Sequence, residues 1–362
     1  MHITRIDISG LRRFESVSMA PGPALNLLTG RNGAGKTSAL EAMHLMAYGR
    51  SFRGRVRDGL IRQGASAIEL FVEWEEAGGR RRKAGLRHMG STWEGRLDGA
   101  DVAHLGELCA ALAVVTFEPG SHELVTGAAE NRRRAMDWGL FHVEPDFLRL
   151  WRRYARALKQ RNALLKAGAR PDELDGWEVE LADSGEAVTR SRETYVQRWQ
   201  PRFAAEAAAL APAIGADGLE LHPGWRRDEL PLADALLLAR PRDLAAGFTS
   251  VGPHRADIRI GYTGLPGREA LSRGQAKLTA LALLLSQARV HAQLAGDWPV
   301  IALDDLASEL DRDHQARVVD DLVATGAQVF VTGTEAPSAL EAHGGALVRF
   351  HVEDGRLRAE GP

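Results

Sequence analysis

The stretch Gly30–Thr37, with the sequence GRNGAGKT, decides the fold predicted for this chain. An apolar segment that predicts a buried strand, Ala24–Thr29, precedes it, and a helical pattern from Ser38 to Tyr48 follows it. Glycines at this spacing let successive backbone N–H groups curl around phosphate oxygens at a helix N-terminus, where the helix dipole favours anions. The order of strand, glycine-rich loop and helix therefore predicts a site for the phosphates of a nucleotide.

Two side chains at the end of this loop carry the expected chemistry. Lys36 is expected to reach the β- and γ-phosphates, and the hydroxyl of Thr37 is expected to bind Mg²⁺. We therefore predict ATP and Mg²⁺ as the cofactors. The predicted nucleotide-binding residues of this segment are Gly30, Arg31, Asn32, Gly33, Ala34, Gly35, Lys36, Thr37 and Ser38.

Composition limits what else the chain can be. It has 362 residues, of which 44% are hydrophobic, and a formal net charge of −2, so it can build a substantial core and is not a polycation. Nucleic acid could then be bound only through local clusters of positive charge. The single cysteine, Cys109, excludes an internal disulfide and a multi-cysteine metal site. We expect a cytoplasmic protein, because the N-terminus lacks the apolar core of a signal peptide and the most apolar run, Leu278–Leu285, is shorter than the roughly 20 residues of a membrane span.

The first part of the chain, residues 1–120, shows alternating strand and helix signals. Strands are expected at Ile3–Ile8, Ile68–Trp74 and Ala113–Phe117, and the polar segment Ala77–Gly85 is expected to be a hairpin loop. This part contains the phosphate loop and is predicted to be the N-terminal portion of an α/β head.

A helical insertion is expected in residues 121–247, broken into about three helices at Pro145, Gly168–Pro171 and Pro201. No apolar heptad is sustained, and about 40 helical residues would reach only about 60 Å, so we expect a stub or arm and not a long coiled coil. Residues 248–362 return to α/β alternation and complete the head. The predicted fold class is an α/β P-loop head, with a mixed sheet and helices, interrupted by a mainly helical lobe.

A pair of carboxylates ends the apolar strand Val300–Asp305. Asp304 is expected to lie beside the phosphate loop and hold Mg²⁺ directly or through water, and Asp305 is the predicted general base for an attacking water. Taken alone, two aspartates after a strand form only a turn or a helix cap about as often as they form a catalytic site. The phosphate loop upstream and the continuation Ser308–Asp311 favour the catalytic role.

A second anion site is predicted at Leu271–Gln275, which opens the helical run Ala276–Gln293. A serine and a glycine at a helix N-terminus offer a hydroxyl and N–H groups to phosphate, although a capping serine without further function is the commoner case. The residues of this predicted site are Ser272, Arg273, Gly274 and Gln275.

Taken together, these segments resemble the motifs of the ABC-ATPase superfamily. Walker A resembles Gly30–Thr37, the signature resembles Leu271–Gln275, Walker B resembles Val300–Asp305, and the D-loop resembles Ser308–Asp311. In that superfamily the signature of one subunit closes over the nucleotide held by the other. The resemblance therefore implies an ABC-type head and an ATP-dependent homodimer with two ATP molecules between its subunits.

Within the superfamily the whole chain is similar to the RecF family, in the SMC-like branch. The stretches that carry this likeness are Ile8–Arg13, Gly49–Arg53, Phe117–Pro119, Asn131–Arg134 and Val251–Asp257. The resemblance implies a DNA-binding clamp in recombinational repair and replication-gap processing, with RecR and RecO as partners and Arg12 at the nucleotide. We also expect ATP hydrolysis that DNA stimulates, and we expect it to be slow because Asp305 shortens the reach to water. Two positions differ from transport-type members: Asp305 replaces a glutamate, and Val329–Thr334 offers threonines where a histidine is usual.

Positive charge is concentrated in four clusters that are candidates for DNA binding. We expect the DNA to be single-stranded, gapped or duplex, and the binding to be independent of sequence. They are Arg50, Arg53, Arg55, Arg57 and Arg62; Arg80–Lys83; Arg132–Arg134; and Arg149, Arg152, Arg153, Arg156, Lys159 and Arg161. Arg149, Arg153 and Arg156 fall on one helical face, as a surface that tracks phosphates requires, although a solvated helix face is as common.

Three other functions stay open. An ABC transporter's ATPase subunit would also lack membrane spans, but the long separation between Walker A and the signature leaves room for the helical arm of DNA-repair members. A P-loop kinase has no use for a second phosphate site. A clamp that binds ATP and hardly hydrolyses it differs from our hypothesis only in turnover.

Overall fold

The computed structural model describes residues 1–53 and 59–360, which form two compact units. The first unit comprises Met1–Ser121 and Ala288–Pro362, and the second is His122–Gln287. The helical insertion was predicted to end at residue 247, whereas the second unit runs on through a further strand and most of a long helix. Arg55 and Arg57, two members of a predicted cationic cluster, lie outside the described residues.

The described residues contain both strands and helices. The strands are β1 (His2–Ser9), β2 (Ser16–Met19), β3 (Leu25–Thr29), β4 (Ile68–Glu75), β5 (Arg81–His88), β6 (Trp93–Leu97), β7 (Ala100–Asp101), β8 (Val114–Phe117), β9 (Ala216–His222), β10 (Asp257–Tyr262), β11 (Val300–Leu303), β12 (Val329–Gly333), β13 (Leu347–Glu353) and β14 (Arg356–Glu360). The helices are α1 (Lys36–Tyr48), α2 (Leu105–Ala111), α3 (Glu123–Thr126), α4 (Ala129–Val143), α5 (Phe147–Lys166), α6 (Pro171–Leu210), α7 (Leu232–Ala246), α8 (Arg273–Ala295), α9 (Leu306–Glu309), α10 (Arg312–Thr325) and α11 (Ser338–Glu341).

Two sheets build the first unit. One has the strand order β2-β1-β4-β5-β6-β7 with antiparallel neighbours, and the other has the order β14-β13-β3-β12-β11-β8. In the second sheet every neighbouring pair from β13 to β8 is parallel, and only β14 pairs in the antiparallel sense. The loops that follow β3, β12, β11 and β8 therefore leave from the same edge, which is where ligands bind in parallel sheets.

The central strands and α1 are apolar because this sheet is covered on both faces. Strands β8, β11 and β12 are buried along their whole length, and α1 buries eleven of its thirteen residues. Gly49 ends α1 in the left-handed conformation, with φ 65°, which is the usual helix stop. The predicted strands at Ile3–Ile8, Ile68–Trp74 and Ala113–Phe117 and the predicted helix after the phosphate loop are confirmed.

The expected hairpin loop at Ala77–Gly85 was wrong in its second half, where β5 begins at Arg81. Its charged side chains alternate with buried ones and lie opposite carboxylates of β4: Arg81 pairs with Glu75, and Lys83 with Glu73. Opposite charges across two antiparallel strands stabilise the pairing. A strand whose outer face is so strongly charged looks like a loop in the sequence alone.

The second unit is mainly helical, and α4, α5 and α6 are the three helices expected there. The breaks at Pro145 and at Gly168–Pro171 are confirmed, but the break expected at Pro201 was wrong, because α6 continues through it. Proline removes one backbone hydrogen bond, to the carbonyl of Gln197. Both Pro201 and Gln197 are exposed, so water can replace that bond at little cost.

The predicted fold class, an α/β head with a mainly helical insertion, is confirmed by this architecture. A small antiparallel pair, β9 with β10, completes the second unit. Within the described ranges, no helix is both long enough and apolar enough to cross a membrane.

Candidate functional site

The phosphate loop joins β3 to α1 and depends on glycine for its shape. Gly30 and Gly35 have φ values of 146° and 125°, which other residues rarely adopt. A Cβ atom at Gly30 would also lie 2.2 Å from the carbonyl oxygen of Val352. Gly35 is the N-cap of α1 and has no side chain to accept bonds from the first turn, which leaves that role to a bound anion.

The ammonium of Lys36 is turned back onto the loop. Its Nζ donates to the carbonyl oxygen of Gly30 at 2.6 Å and to that of Arg31 at 3.1 Å. Burial lowers the pKa of Lys36, and the carboxylates of Asp305 and Asp304 act in the opposite direction. A buried ammonium held only by neutral carbonyls is suited to exchange them for phosphate oxygens, because hydrogen bonds between charged groups are stronger.

The carboxylate of Asp304 ties the loop to the two neighbouring strands. Its Oδ1 accepts one hydrogen bond from the hydroxyl of Thr37, at 2.9 Å, and another from the hydroxyl of Thr332, at 2.7 Å. The residue is buried, and this burial raises the pKa of Asp304, whereas the two hydroxyls lower it. A hydroxyl and a carboxylate oxygen side by side fit Mg²⁺, which prefers few protein oxygens together with phosphates.

Asp305 follows at the start of α9 with φ 52°, a left-handed conformation that aspartate tolerates. Its backbone N–H donates to the hydroxyl of Thr332 at 2.8 Å, which fixes the turn. Asp305 is partly exposed and lines the same cavity as Lys36 and Thr37. This is the position from which a carboxylate could accept a proton from a water beside the γ-phosphate.

A cavity of about 500 Å³ contains these groups and is of the size of a nucleotide site. Its lining residues are Arg12, Arg13, Asn32, Gly33, Gly35, Lys36, Thr37, Ser38, Phe52, Arg53, Glu118, Pro119, Asp304, Asp305 and Thr332. The structure thus brings together most of the predicted loop residues with both predicted carboxylates. Their individual roles stay predictions.

Several lining residues were missed as site residues. Glu118 follows β8 and lies level with Asp304 at the end of the neighbouring strand. The backbone N–H of Asp304 donates to the carbonyl oxygen of Phe117 at 2.8 Å. Thr332 occupies the strand end where we noted only a missing histidine. Both residues were missed because the sequence does not give the strand order. Strands β8 and β12 flank β11, and this order places Glu118 and Thr332 beside Asp304.

Arg12 lines this cavity, and its guanidinium is bound by a buried carboxylate of α1. Its Nε and Nη2 donate to the two oxygens of Glu41, at 3.0 and 2.8 Å, and Glu41 is completely buried on α1. Ser51 donates its hydroxyl to the same carboxylate and accepts the N–H of Arg53 at 2.9 Å. Glu41 therefore positions both Arg12 and the segment that brings Phe52 and Arg53 to the cavity. A contact of Arg12 with nucleotide stays a prediction.

The predicted signature residues lie in the second unit, at the start of α8. The N–H of Ser272 donates to Oε1 of Gln275 at 2.8 Å, and the N–H of Gln275 donates to the hydroxyl of Ser272 at 3.3 Å. This reciprocal pair is a capping box. Ser272, Arg273 and Gly274 are exposed, and a Cβ at Gly274 would meet open space.

The cationic clusters differ in how much of their charge is free. Arg132 is buried and donates to both oxygens of Asp257, so it is a structural residue and not a DNA contact. The arginines at the start of β5 are also paired, Arg81 with Glu75 and Arg82 with Asp98. Their charge is largely used within the first unit.

The predicted face of Arg149, Arg153 and Arg156 on α5 is not uniform. Arg153 makes two hydrogen bonds to Glu180, at 2.5 and 2.6 Å, and Arg149 contacts Asp146. Arg161 is completely buried. Arg156 of this face is exposed, as are Arg152 and Lys159 of the same predicted cluster, so part of the predicted positive charge remains at the surface of this helix.

A phosphate loop, a strand-ending carboxylate pair beside it and a serine–glycine signature on an inserted helical unit define an ABC-type P-loop ATPase. The family model described as the RecF/RecN/SMC N terminal domain matches residues 2–356. A DNA replication and repair protein RecF from Stenotrophomonas maltophilia (strain R551-3) is 65% identical over 365 residues, covering 99% of this chain and 100% of that one. A protein of the same name from Thioalkalivibrio sulfidiphilus (strain HL-EbGR7) is 36% identical over 359 residues, covering 99% of each.

Solved structures show the same fold. One, described as the recombination mediator protein RecF with ATP in the RecFOR pathway, has a TM-score of 0.87 at 23% identity and covers 99% of this chain and 98% of that one. The Smc head domain with the C-terminal domain of ScpA, derived from Pyrococcus furiosus, has a TM-score of 0.58 at 16% identity, covering 99% and 96%.

The chain belongs to the RecF family of DNA replication and repair proteins. Membership of this family confirms the predicted resemblance and excludes the alternative of a transporter subunit.

The buried contact of Glu41 with Arg12 gives a first prediction. Glu41→Gln removes the charge that holds Arg12 and weakens the anchor of Ser51, so we expect the Kd for ATP to rise about tenfold, roughly 1.4 kcal/mol. A fluorescent ATP analogue measures this, at a temperature where circular dichroism shows both proteins folded. Glu15→Gln, which alters an exposed pair with Arg62, is the matched control and should bind as the wild type does. An unchanged Kd in folded Glu41→Gln would remove the positioning role.

Proposed function

We propose that this chain is an ATP-dependent DNA-binding clamp, in which each ATP site forms between two copies of the chain. The observation that carries the proposal is the cavity where Lys36, Thr37, Asp304 and Asp305 meet. It offers one face of a nucleotide site. The exposed capping box at Ser272–Gln275 is the second phosphate site, which the proposal assigns to the other copy.

The residues of the cavity fit ATP and Mg²⁺ in defined roles. Lys36 would exchange its two loop carbonyls for phosphate oxygens, and Thr37 and Asp304 would hold Mg²⁺, which would neutralise phosphate charge. Asp305 accepts a proton from water as the water oxygen bonds to the γ-phosphorus. The bond from that phosphorus to the bridging oxygen breaks, and its electron pair leaves with ADP. Aspartate reaches less far than glutamate, so we propose slow hydrolysis that DNA stimulates.

The proposals on DNA and on partner proteins are supported by the family of this chain. Because relatives are named DNA replication and repair proteins, we propose that this chain acts in recombinational repair and at replication gaps. It would bind single-stranded, gapped or duplex DNA without sequence specificity. The solved relative is described as part of the RecFOR pathway, which supports RecR and RecO as partners. The expected cytoplasmic location stays a prediction.

Nucleotide-gated DNA binding is the central test. Fluorescence anisotropy with labelled duplex should show affinity that rises with ATP and Mg²⁺ and falls steeply with salt. Lys36→Ala should lose ATP binding and with it this rise, because its ammonium is the cation of the phosphate loop. Arg317→Ala, at an exposed arginine of α10 outside the candidate DNA-binding clusters, is the control and should behave as the wild type. Equal DNA affinity with and without nucleotide in the wild type would contradict the gated clamp.

Dimerisation tests the second half of the site. Ser272→Arg places a bulky cation at the exposed capping box, so we expect ATP binding by the monomer to persist while the ATP-induced dimer is lost. Size-exclusion chromatography with light scattering, with and without ATP, measures both states. Ser66→Arg, at an exposed loop position of the first unit, should leave the dimer intact. A Ser272→Arg protein that still dimerises with ATP would refute the shared site.

Turnover separates a slow ATPase from a clamp that hardly hydrolyses ATP. Asp305→Asn keeps the size of the side chain and removes its basicity, so we expect turnover to fall by about 10²-fold or more while ATP affinity stays within twofold. Phosphate release, measured with and without DNA, gives the rate. Asp313→Asn, exposed on α10, is the control. Wild-type turnover at the level of Asp305→Asn would favour the non-hydrolysing clamp.

A further inference from the structure

Helix α5 carries more positive charge than its own unit uses. Its sequence, FLRLWRRYARALKQRNALLK, contains seven arginines and lysines and no aspartate or glutamate. Three of the seven are paired with carboxylates. They are Arg149, Arg153 and Arg161, and their partners are Asp146, Glu180, and Glu178 together with Asp243.

The other four cations form one exposed row, which we call the α5 row: Arg152, Arg156, Lys159 and Lys166. Their spacing of four, three and seven residues places them on one face of the helix. The opposite face is buried and includes Tyr154, Ala157 and Leu165. Among the residues that the structure describes, no carboxylate lies within salt-bridge distance of any member of the row.

This arrangement is unfavourable for an isolated helix. Like charges four residues apart, as at Arg152 and Arg156, repel each other. A solvated helix face usually mixes charges of both signs, which the α5 row does not. A bound polyanion would remove the repulsion between these like charges.

The antiparallel sheet of the first unit provides a contrast. Arg80, just before β5, and Arg81, Arg87 and Arg96 in its strands each lie within 4.0 Å of a carboxylate. With a formal net charge of −2, the chain does not lack acids for pairing. The row on α5 is therefore a local excess of positive charge, and not the consequence of a basic protein.

We infer that the α5 row binds the phosphate backbone of DNA, an inference that rests on the proposed DNA-binding function. From Arg152 to Lys166 the row spans roughly 21 Å at 1.5 Å per residue. Each strand of duplex DNA carries a phosphate for about every 3.4 Å of axis, so an equal length of one strand offers roughly six phosphates to the four cations. Arginine and lysine side chains on a straight helix contact phosphates without reading bases, so the binding is independent of sequence.

The experiment compares two fourfold variants of equal charge. The row variant is Arg152→Gln, Arg156→Gln, Lys159→Gln and Lys166→Gln, and the control is Arg80→Gln, Arg81→Gln, Arg87→Gln and Arg96→Gln. Anisotropy with labelled duplex, in ATP and Mg²⁺ at several salt concentrations, gives the slope of log K against log salt. We expect the magnitude of the slope to fall by about 3.6 in the row variant, roughly 0.9 for each lost phosphate contact. The slope of the control should stay near the wild-type value.

Each outcome bears on a different part of the inference. An unchanged slope in a row variant that still binds ATP and elutes as the wild type would overturn the α5 row and leave the proposed clamp standing. An equal change in both variants would assign the effect to net charge and also overturn it. If the row variant lost binding to phosphatidylglycerol vesicles but kept its DNA binding, the ligand of the α5 row would be a membrane surface and not DNA, which would overturn the inference. A wild type that binds no duplex under any nucleotide condition would overturn both the row and the proposed function.

Discussion

The carboxylate of Asp304 is the interaction on which the nucleotide site depends. It accepts hydroxyl hydrogen bonds from the start of α1 and from the end of β12, and so joins three chain segments at one buried point. A carboxylate removed from water is costly unless such donors replace its hydration. The parallel register sets this meeting, since Leu303 is level with Val331 and the next residues are Asp304 and Thr332. A slip of one residue would turn these side chains to the opposite face of the sheet.

The second unit is organised by buried arginines instead. Arg161 is completely buried and donates to Glu178, Asp243 and Thr249, and Arg192 donates to both oxygens of Asp137 and to the carbonyl of Pro253. Such pairs gain little net stability, because desolvation offsets attraction, but removing one partner leaves an unpaired buried charge. They fix the relative positions of α5, α6 and α7. They also bear on DNA binding, because a cluster of arginines in the sequence can contain both buried, paired arginines and exposed ones that are available to phosphates.

The sequence alone could predict the parts of the site that are contiguous in the chain. Lys36 and Thr37 follow a strand and open a helix, and Asp304 and Asp305 end a strand, so local pattern was sufficient. Thr332, Glu118 and the Glu41 contact could not be predicted, because each depends on which strands or segments are neighbours. Pro201 and Arg81 show the same limit in the fold: exposure decides whether a proline breaks a helix, and cross-strand carboxylates decide whether a charged stretch is a loop.

The charges of the candidate site favour the binding of ATP more than its hydrolysis. Burial lowers the pKa of Lys36 and raises that of Asp304, so each charged form is less stable than in water and gains from a counter-charge. Phosphates and a cation would supply both counter-charges at once, on a loop whose glycines already fix its shape. The predicted base, Asp305, has a short side chain, and its backbone N–H is bonded to the hydroxyl of Thr332 in a left-handed turn. In the proposed clamp, tight binding combined with a constrained base would lengthen the ATP-bound state, as a clamp requires.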